Sequence, residues 1–306
     1  MAVDALVVGA GPAGVAAALY LARFGLSVVM AEKAAAGGLL LQTAEIENYP
    51  GFPKGIKGYE LADALEAQLA PYPIRRITDE VKTLELGGAV KRALIGDEWV
   101  EARTVLLCAG VKYRKLGLPK EDAFLGRGLS HCALCDGNFF RGQVVGVVGG
   151  GNSALEESLY LARIAKEVHI FHRRDEFRGA ALYQDRIAAE SNIHVHYSSV
   201  ISALHGDKDL EAVSLKNVKT GEESRLPLNG LFIFIGFTPA SESLPVGLQT
   251  DPQGFIITDL EMRTNIPGVF AAGDIRSKLC RQVVTAVGDG ATAANSAHLY
   301  LEQQHA

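Results

Sequence analysis

Gly9-Ala10-Gly11-Pro12-Ala13-Gly14, directly after the apolar residues 5–8, decides the fold of this 306-residue chain. Residues 5–8 read as a strand. A helical pattern follows over residues 15–24, with Gly25 as its C-cap, and residues 27–31 read as a second strand. Together they make a βαβ unit with a glycine-rich first turn. The pattern recurs about 140 residues later. Residues 144–148 form a strand, Gly149-Gly150-Gly151-Asn152-Ser153-Ala154 the turn, residues 155–164 a helix and residues 168–171 a strand. Spaced glycines alone are weak evidence. Here each set follows a strand and opens a helix, where backbone amides and the positive helix end can receive a pyrophosphate. The bland alternative is a tight turn that holds no ligand.

Two such units predict an α/β protein with two doubly wound Rossmann-like nucleotide-binding domains. The chain leaves the first domain near residues 111–117 and returns near residues 236–239. The C-terminal part has one strand, residues 268–272, and a long helix from about residue 282 to 301, too little to form a domain alone. It therefore completes the first domain, and the second domain is inserted in the first. The expected first domain comprises residues 1–115 and 243–306. Residues 116–242 form the expected inserted domain.

Composition narrows the function. The net charge of −5 argues against a nucleic-acid partner, which calls for a basic face. No apolar stretch reaches the roughly 18 residues that would span a membrane. Asp4 precedes the apolar start and no basic segment does, so no secretory signal is expected and the cytoplasm is the default. In that compartment the four cysteines read as catalytic or inert rather than as staples.

The residue that ends the second strand of each unit separates the two cofactors. In the first unit it is Glu32, whose carboxylate accepts from both adenosine ribose hydroxyls and repels a 2′-phosphate, which selects FAD or NAD. In the second it is His172, followed by Arg173, Arg174 and, further on, Arg178, with no acid. Guanidinium groups bind a 2′-phosphate bidentately. One ion pair at about 4 Å contributes up to about 4 kcal/mol at an effective dielectric of about 20, before desolvation. The second site therefore expects NADPH, and FAD is the sensible hydride acceptor for the first. In Gly268-Val269-Phe270-Ala271-Ala272-Gly273-Asp274, a buried strand ends in a turn whose Asp274 can bind ribityl hydroxyls. Arg281-Gln282-Val283 then opens the last helix, whose positive end suits a reduced flavin.

Ser130-His131-Cys132-Ala133-Leu134-Cys135-Asp136-Gly137 is the expected chemical centre. Thiols at this spacing close a small disulfide, one attacks a substrate disulfide, and the other resolves the mixed disulfide. Asp136 is the candidate proton donor or acceptor. Zinc would need two further close ligands. Cys108 lies in an apolar run and Cys280 is distant, so no metal is expected. Cys108 reads as a buried hydrophobe. His131 reads as a surface histidine, with proton transfer as the alternative.

In order along the chain, the Gly9 and Gly149 turns, Glu47-Asn48-Tyr49-Pro50-Gly51, the Cys132–Cys135 motif, His172-Arg173-Arg174 and residues 268–274 resemble low-molecular-weight thioredoxin reductases over essentially the whole length. The resemblance implies a homodimer with one FAD per subunit and thioredoxin, or a thioredoxin-like protein, as acceptor. It implies that Cys135 faces the flavin, that Cys132 attacks the partner disulfide and that Asp136 handles protons. Asn48 would lie near the isoalloxazine ring and the backbone of Val81 near the adenine, with Gly38, Ala109 and Gly110 at the FAD site and Glu157 and Gly236 at the NADPH site. Arg127, Phe139 and Phe140 match a docking surface for thioredoxin. Leu39 stands where the family often has Gln, and Cys108-Ala109-Gly110 replaces its usual Ala-Thr-Gly turn. Because the cysteines and the nicotinamide site share the inserted domain, the resemblance also implies that this domain rotates so that each takes its turn at the flavin. The rivals are a same-fold flavoprotein reductase serving another redoxin or a peroxidase, and a non-catalytic flavin-binding redox sensor.

Overall fold

The computed structural model describes residues 2–43, 45–46, 48–240, 244–245 and 247–304. Strand β1 (Val3–Val8) leads through the glycine turn into helix α1 (Pro12–Arg23) and strand β2 (Val28–Ala31). The helix starts three residues earlier than its apolar pattern predicts. Pro12 occupies the first helical turn, where its fixed φ suits a helix and its missing N–H removes nothing. Gly25, with φ +78°, follows the helix end and provides the left-handed residue that stops it. Along β1 the side chains alternate, Ala5 and Val7 into one core and Leu6 and Val8 into another, so the strand is buried on both faces.

Strands β3 (Arg75–Ile77), β4 (Val81–Glu85), β5 (Lys91–Ile95) and β6 (Glu98–Leu107) complete the first segment of this sheet. Its order is β3-β2-β1-β6-β5-β4; β1, β2 and β3 run parallel to one another and β1 to β6, while the pairs β6/β5 and β5/β4 are antiparallel. Strand β7 (Val111–Tyr113) then carries the chain out.

A second, wholly parallel sheet lies in the insertion, in the order β8-β15-β9-β10-β11. Strand β8 is Leu129–Ser130, and the short helix α2 (Ala133–Asp136) contains Cys135 and is capped by Cys132. Strand β9 (Val144–Val148), helix α3 (Asn152–Ala162) and strand β10 (Glu167–Phe171) are the second βαβ unit, followed by helix α4 (Ala181–Ala189) and strand β11 (Ile193–His196). An antiparallel meander of β12 (Ser199–His205), β13 (Ala212–Asn217) and β14 (Glu223–Pro227) precedes β15 (Gly230–Ile233). Val145, Val147, Val168 and Ile170 pack on α3 and α4, whereas Val148, Phe171, Leu231 and Ile233 pack on the meander. With both faces covered, this sheet shows the continuous apolar runs expected of parallel strands.

Strand β16 (Phe237–Pro239) brings the chain back and pairs antiparallel with β7, Phe237 opposite Tyr113 and Pro239 opposite Val111. Strand β17 (Val269–Ala271) then joins the first sheet in parallel with β6, and helix α5 (Val283–Gln303) lies against α1. Both chain ends therefore build one domain around the other, as the short C-terminal segment leads one to expect. Glu47 and the expected boundary at residues 242 and 243 lie outside the described residues. Among the described residues no helix is long and apolar enough to cross a membrane.

Candidate active site

A cavity of about 870 Å³ opens where the first glycine turn, the 108–110 turn after β6 and the start of α5 converge. Gly9, Gly11, Pro12 and Ala13 line it from the first turn, with Glu32 from the end of β2 and Gly38 beside them. Ala109 and Gly110, then Gly273 and Asp274, then Arg281, Gln282 and Val283 form the rest of the wall named by the sequence. A Cβ added to Gly11 or Gly110 would meet nothing within 4 Å, so both backbones border open space. Gly9 has φ +103°, and a Cβ there would come within 2.6 Å of the Cys108 carbonyl oxygen, so the two turns can approach only with glycine at this position.

Gly14 is outside the lining. Its missing Cβ lets α1 close onto the Gly9 carbonyl. Asn48 and Val81 are also outside it. Asn48 is exposed and donates from Nδ2 to Gln282 Oε1 at 3.1 Å, while Val81 is buried at the start of β4.

The polar groups of the cavity are set for a polyhydroxyl ligand. Glu32 accepts the Ala10 N–H at 2.8 Å and the Ala34 N–H at 3.2 Å, which holds its carboxylate at the rim. Asp274 Oδ1 is buried without a hydrogen-bond partner, and Lys278 Nζ stands 3.9 Å away. Burial raises the Asp274 pKa to about 6, against the opposing pull of Lys278 and Arg281. Asp274 lines the cavity and one of its oxygens is orphaned, an acceptor that a ligand hydroxyl would satisfy, so these residues fit the ribityl chain of a flavin dinucleotide. At the start of α5, Gln282 and Thr285 form a capping box.

Cys132 and Cys135 are joined in a disulfide with Cα atoms 5.3 Å apart, and both line this cavity. Cys132 caps α2, its Sγ accepting the Cys135 N–H at 3.2 Å. Asp136 is buried behind the pair. Its Oδ2 accepts the Ser130 hydroxyl at 2.5 Å and its Oδ1 has no partner. Burial raises its pKa to about 6, and the Ser130 hydrogen bond opposes the rise. Ser130 Oγ also accepts the Cys132 N–H at 3.1 Å, so one hydroxyl ties the acid to the disulfide loop.

His131 is not the surface histidine that the sequence suggests. It is half-buried, stacked on Tyr113 at 4.2 Å and 6°, with Nδ1 3.2 Å from the Ile233 carbonyl oxygen; burial lowers its pKa. Cys108 is buried as expected, its thiol pushed up to about 12 by burial and by the nearby Asp289. Cys280 is exposed and free.

A second cavity, about 820 Å³, lies at the carboxyl ends of β9, β10 and β15. Gly149, Gly151, Asn152, Ser153 and Ala154 line it, with His172, Arg173, Arg178 and Gly236. His172 is buried, and its Nε2 has no partner. Arg174 is exposed outside the lining, its carbonyl accepting the Ser198 N–H at 2.8 Å. Glu157 is also outside: it sits behind α2 beside the Ala133 and Leu134 N–H groups, and burial raises its pKa to about 7.

Residues 3–290 match the family described as pyridine nucleotide-disulphide oxidoreductase. A thioredoxin reductase of Streptomyces coelicolor is 44% identical over 301 residues, covering 97% of this chain and 94% of the relative. One of Listeria innocua is 41% identical over 302 residues, covering 98% and 94%. The chain belongs to the pyridine nucleotide-disulphide oxidoreductases, in their thioredoxin reductase branch. Among solved structures, the thioredoxin reductase of Streptococcus pyogenes superposes with TM-score 0.92 at 44% identity, covering 98% of each chain. That of Lactococcus lactis, described as in the FR conformation, gives 0.70 at 41% identity, covering 98% and 99%. The protein is thus an NADPH-dependent flavoprotein disulfide oxidoreductase, and its Cys132–Cys135 bond fits a redox-active disulfide.

Three residues have roles that the motifs do not announce: Tyr113, which lines the larger cavity, and Ser130 and Asp289, which stand outside its lining and bond to residues that form it. Ser130 has no motif of its own. Tyr113 reads as part of a connector, yet its hydroxyl acidity is suppressed by burial and by nearby Asp274, Asp136 and Glu157. Asp289 clamps the 273–278 turn: it accepts the Gly273 N–H at 3.1 Å, Lys278 Nζ at 2.8 Å and Arg276 Nη1 at 3.0 Å. A lone acid in the small-residue run 286–294 is the signal that could have drawn attention to Asp289. On the outer surface Leu134, Phe139 and Arg127 are exposed, whereas Phe140 packs edge-on against Phe232 at 5.5 Å.

Proposed function

We propose that this protein is a thioredoxin-disulfide reductase of the cytoplasm, carrying two electrons from NADPH to oxidised thioredoxin with release of NADP⁺ and the thioredoxin dithiol. The carrying observation is that the Cys132–Cys135 disulfide lines the same cavity as the first glycine turn, Asp274 and the start of α5. FAD, bound there, supplies two-electron transfer between a nicotinamide and a disulfide. Gly9, Gly11, Pro12, Ala13 and Gly38 give its pyrophosphate close backbone approach, Glu32 takes the adenosine ribose, and Asp274 takes the ribityl hydroxyls. Ala109, Gly110, Gly273, Arg281, Gln282 and Val283 complete the assigned FAD site, while Gly14 and Asn48, outside the lining, support it through Gly9 and Gln282, and Val81 stays outside it. Gly149, Gly151, Asn152, Ser153 and Ala154 receive the NADPH pyrophosphate, and His172, Arg173 and Arg178 its 2′-phosphate, with Arg174 exposed next to them and Gly236 on the opposite wall; Glu157, placed beside Ala133 and Leu134, is not part of this site. Residues 1–115 and 243–306 make up the FAD-binding domain and residues 116–242 the NADPH-binding domain. The working form is a homodimer, the state expected of the thioredoxin reductases that the chain resembles.

In the oxidative half-reaction the Cys132 thiolate attacks a thioredoxin disulfide, forming a mixed disulfide and releasing one thioredoxin thiolate. Cys135 then attacks Cys132 Sγ, restores the internal disulfide and frees the second thiolate. Asp136 exchanges the proton of the thiol pair, a role suited to a carboxyl that titrates near 6. Purified holoprotein should consume NADPH when supplied with oxidised thioredoxins and not with oxidised glutaredoxins. Cys132→Ser and Cys135→Ser should each abolish this. Undiminished thioredoxin reduction in the double variant, or a preference for glutaredoxins or a peroxidase, would reject the proposal.

A further inference from the structure

Arg114 stands outside both glycine motifs and the 2′-phosphate arginines, yet it lines the second cavity. We propose that Arg114 is a further binding residue for the pyridine nucleotide, holding the phosphate on its nicotinamide side. This inference rests on the NADPH reading of that cavity.

Sheet order locates it. The turn after β9 lies between the ends of β10 and β15, because β9 pairs with both. His172 and Arg173 follow β10, on one side of the glycine turn. Gly236 follows β15, on the other side, where the Arg114 N–H donates to the Gly236 carbonyl at 3.1 Å. The Arg114 side chain lies along the same residue: its Cδ and Nε would stand 3.8 and 3.9 Å from a Cβ placed on Gly236. Neighbouring strands are about 4.8 Å apart, so the ends of β10 and β15 are about 10 Å apart across β9. A dinucleotide pyrophosphate centred on residues 149–154 therefore has the 2′-phosphate cations at its adenosine end and Arg114 at its nicotinamide end.

The local charges agree. Arg114 is exposed, and among the described residues it forms no ion pair, whereas the adjacent Lys115 has Asp122 at 2.7 Å. An uncompensated guanidinium on the wall of an anion's cavity is available for a charge-assisted hydrogen bond. Its place also matters: Arg114 follows β7 directly, in the connector pair β7/β16, so a phosphate held there touches the chain crossing between the domains.

Position predicts a selectivity pattern opposite to that of Arg173. Arg173 meets a group that only NADPH carries, whereas Arg114 meets one that both nicotinamide dinucleotides carry. Calorimetric titration of the holoenzyme with NADP⁺, NAD⁺ and adenosine 2′,5′-bisphosphate separates the two. Arg114→Ala should weaken NADP⁺ and NAD⁺ by the same factor, about tenfold, and leave the bisphosphate unchanged. Arg114→Lys should recover part of the loss. Arg173→Ala should weaken NADP⁺ and the bisphosphate and spare NAD⁺. Unchanged NADP⁺ affinity in Arg114→Ala would overturn the assignment, as would a loss shared with the bisphosphate. Wild-type protein that binds none of the three ligands would remove the NADPH reading itself, a result distinct from a silent Arg114.

Discussion

One hydroxyl organises the acid of this active site. Ser130 donates to Asp136 Oδ2 and accepts the Cys132 N–H, so it lowers the carboxyl pKa while fixing the disulfide loop. Removing it in Ser130→Ala leaves burial unopposed, and the Asp136 pKa rises further. The limb of the pH–rate profile for disulfide reduction that reports this carboxyl should move to higher pH, by on the order of one pH unit. An unmoved limb would separate Ser130 from the proton. The same elevation has a stability consequence of fixed sign. Between 3.8 and about 6 the folded protein holds the Asp136 proton and the unfolded chain does not, so this group costs stability as pH rises through that window. Asp136 was legible from its place next to Cys135. Its partner Ser130 was not, because a serine six residues away has no spacing signature, and the contact exists only once β8 and α2 turn back on each other.

At the scale of elements, the floor of the larger cavity depends on how closely α1 and α5 approach. Small residues make this possible: Ala13 and Ala17 of α1 share a core with Ala293, Ala294 and Ala297 of α5. Gly290 is the tightest point, since a Cβ there would run into the Ala13 carbonyl oxygen. Gly290→Val should destabilise the protein by about 1–3 kcal/mol through overpacking. Because Ala13 also borders the cavity, the same change should loosen retained flavin, seen as a lower melting temperature together with faster cofactor loss on dilution. A variant as stable and as flavin-loaded as wild type would show that the helices separate without cost. Apolar patterning announced both helices, but not the start of α1 at Pro12. A helix N-terminus is set by caps and proline geometry rather than by the apolar stripe.

The whole molecule keeps its two reductant sites apart. The disulfide lines one cavity, while the second glycine turn and Arg173 line the other. The paired strands β7 and β16 are the crossing between the domains, and His131 stacks on Tyr113 at that crossing. Two relatives of similar identity and near-complete coverage superpose at 0.92 and 0.70, the pattern expected when domain placement differs more than domain structure. A covalent crosslink that ties the inserted domain in the present placement should leave the disulfide able to exchange with reduced flavin yet stop steady-state NADPH turnover. Full turnover in the locked protein would exclude rotation. The order of residues alone determined the two βαβ units, the insertion, the cysteine pair and the charge contrast between Glu32 and Arg173. Each of these is a local pattern, read from neighbours along the chain. Only the folded molecule decided that Glu157 stands behind the cysteine helix, that His131 is stacked and half-buried, that Tyr113 and Arg114 line the cavities, and that Ser130 and Asp289 brace residues of the larger one. Those contacts join residues from different strands and helices, and sequence periodicity has no term for them.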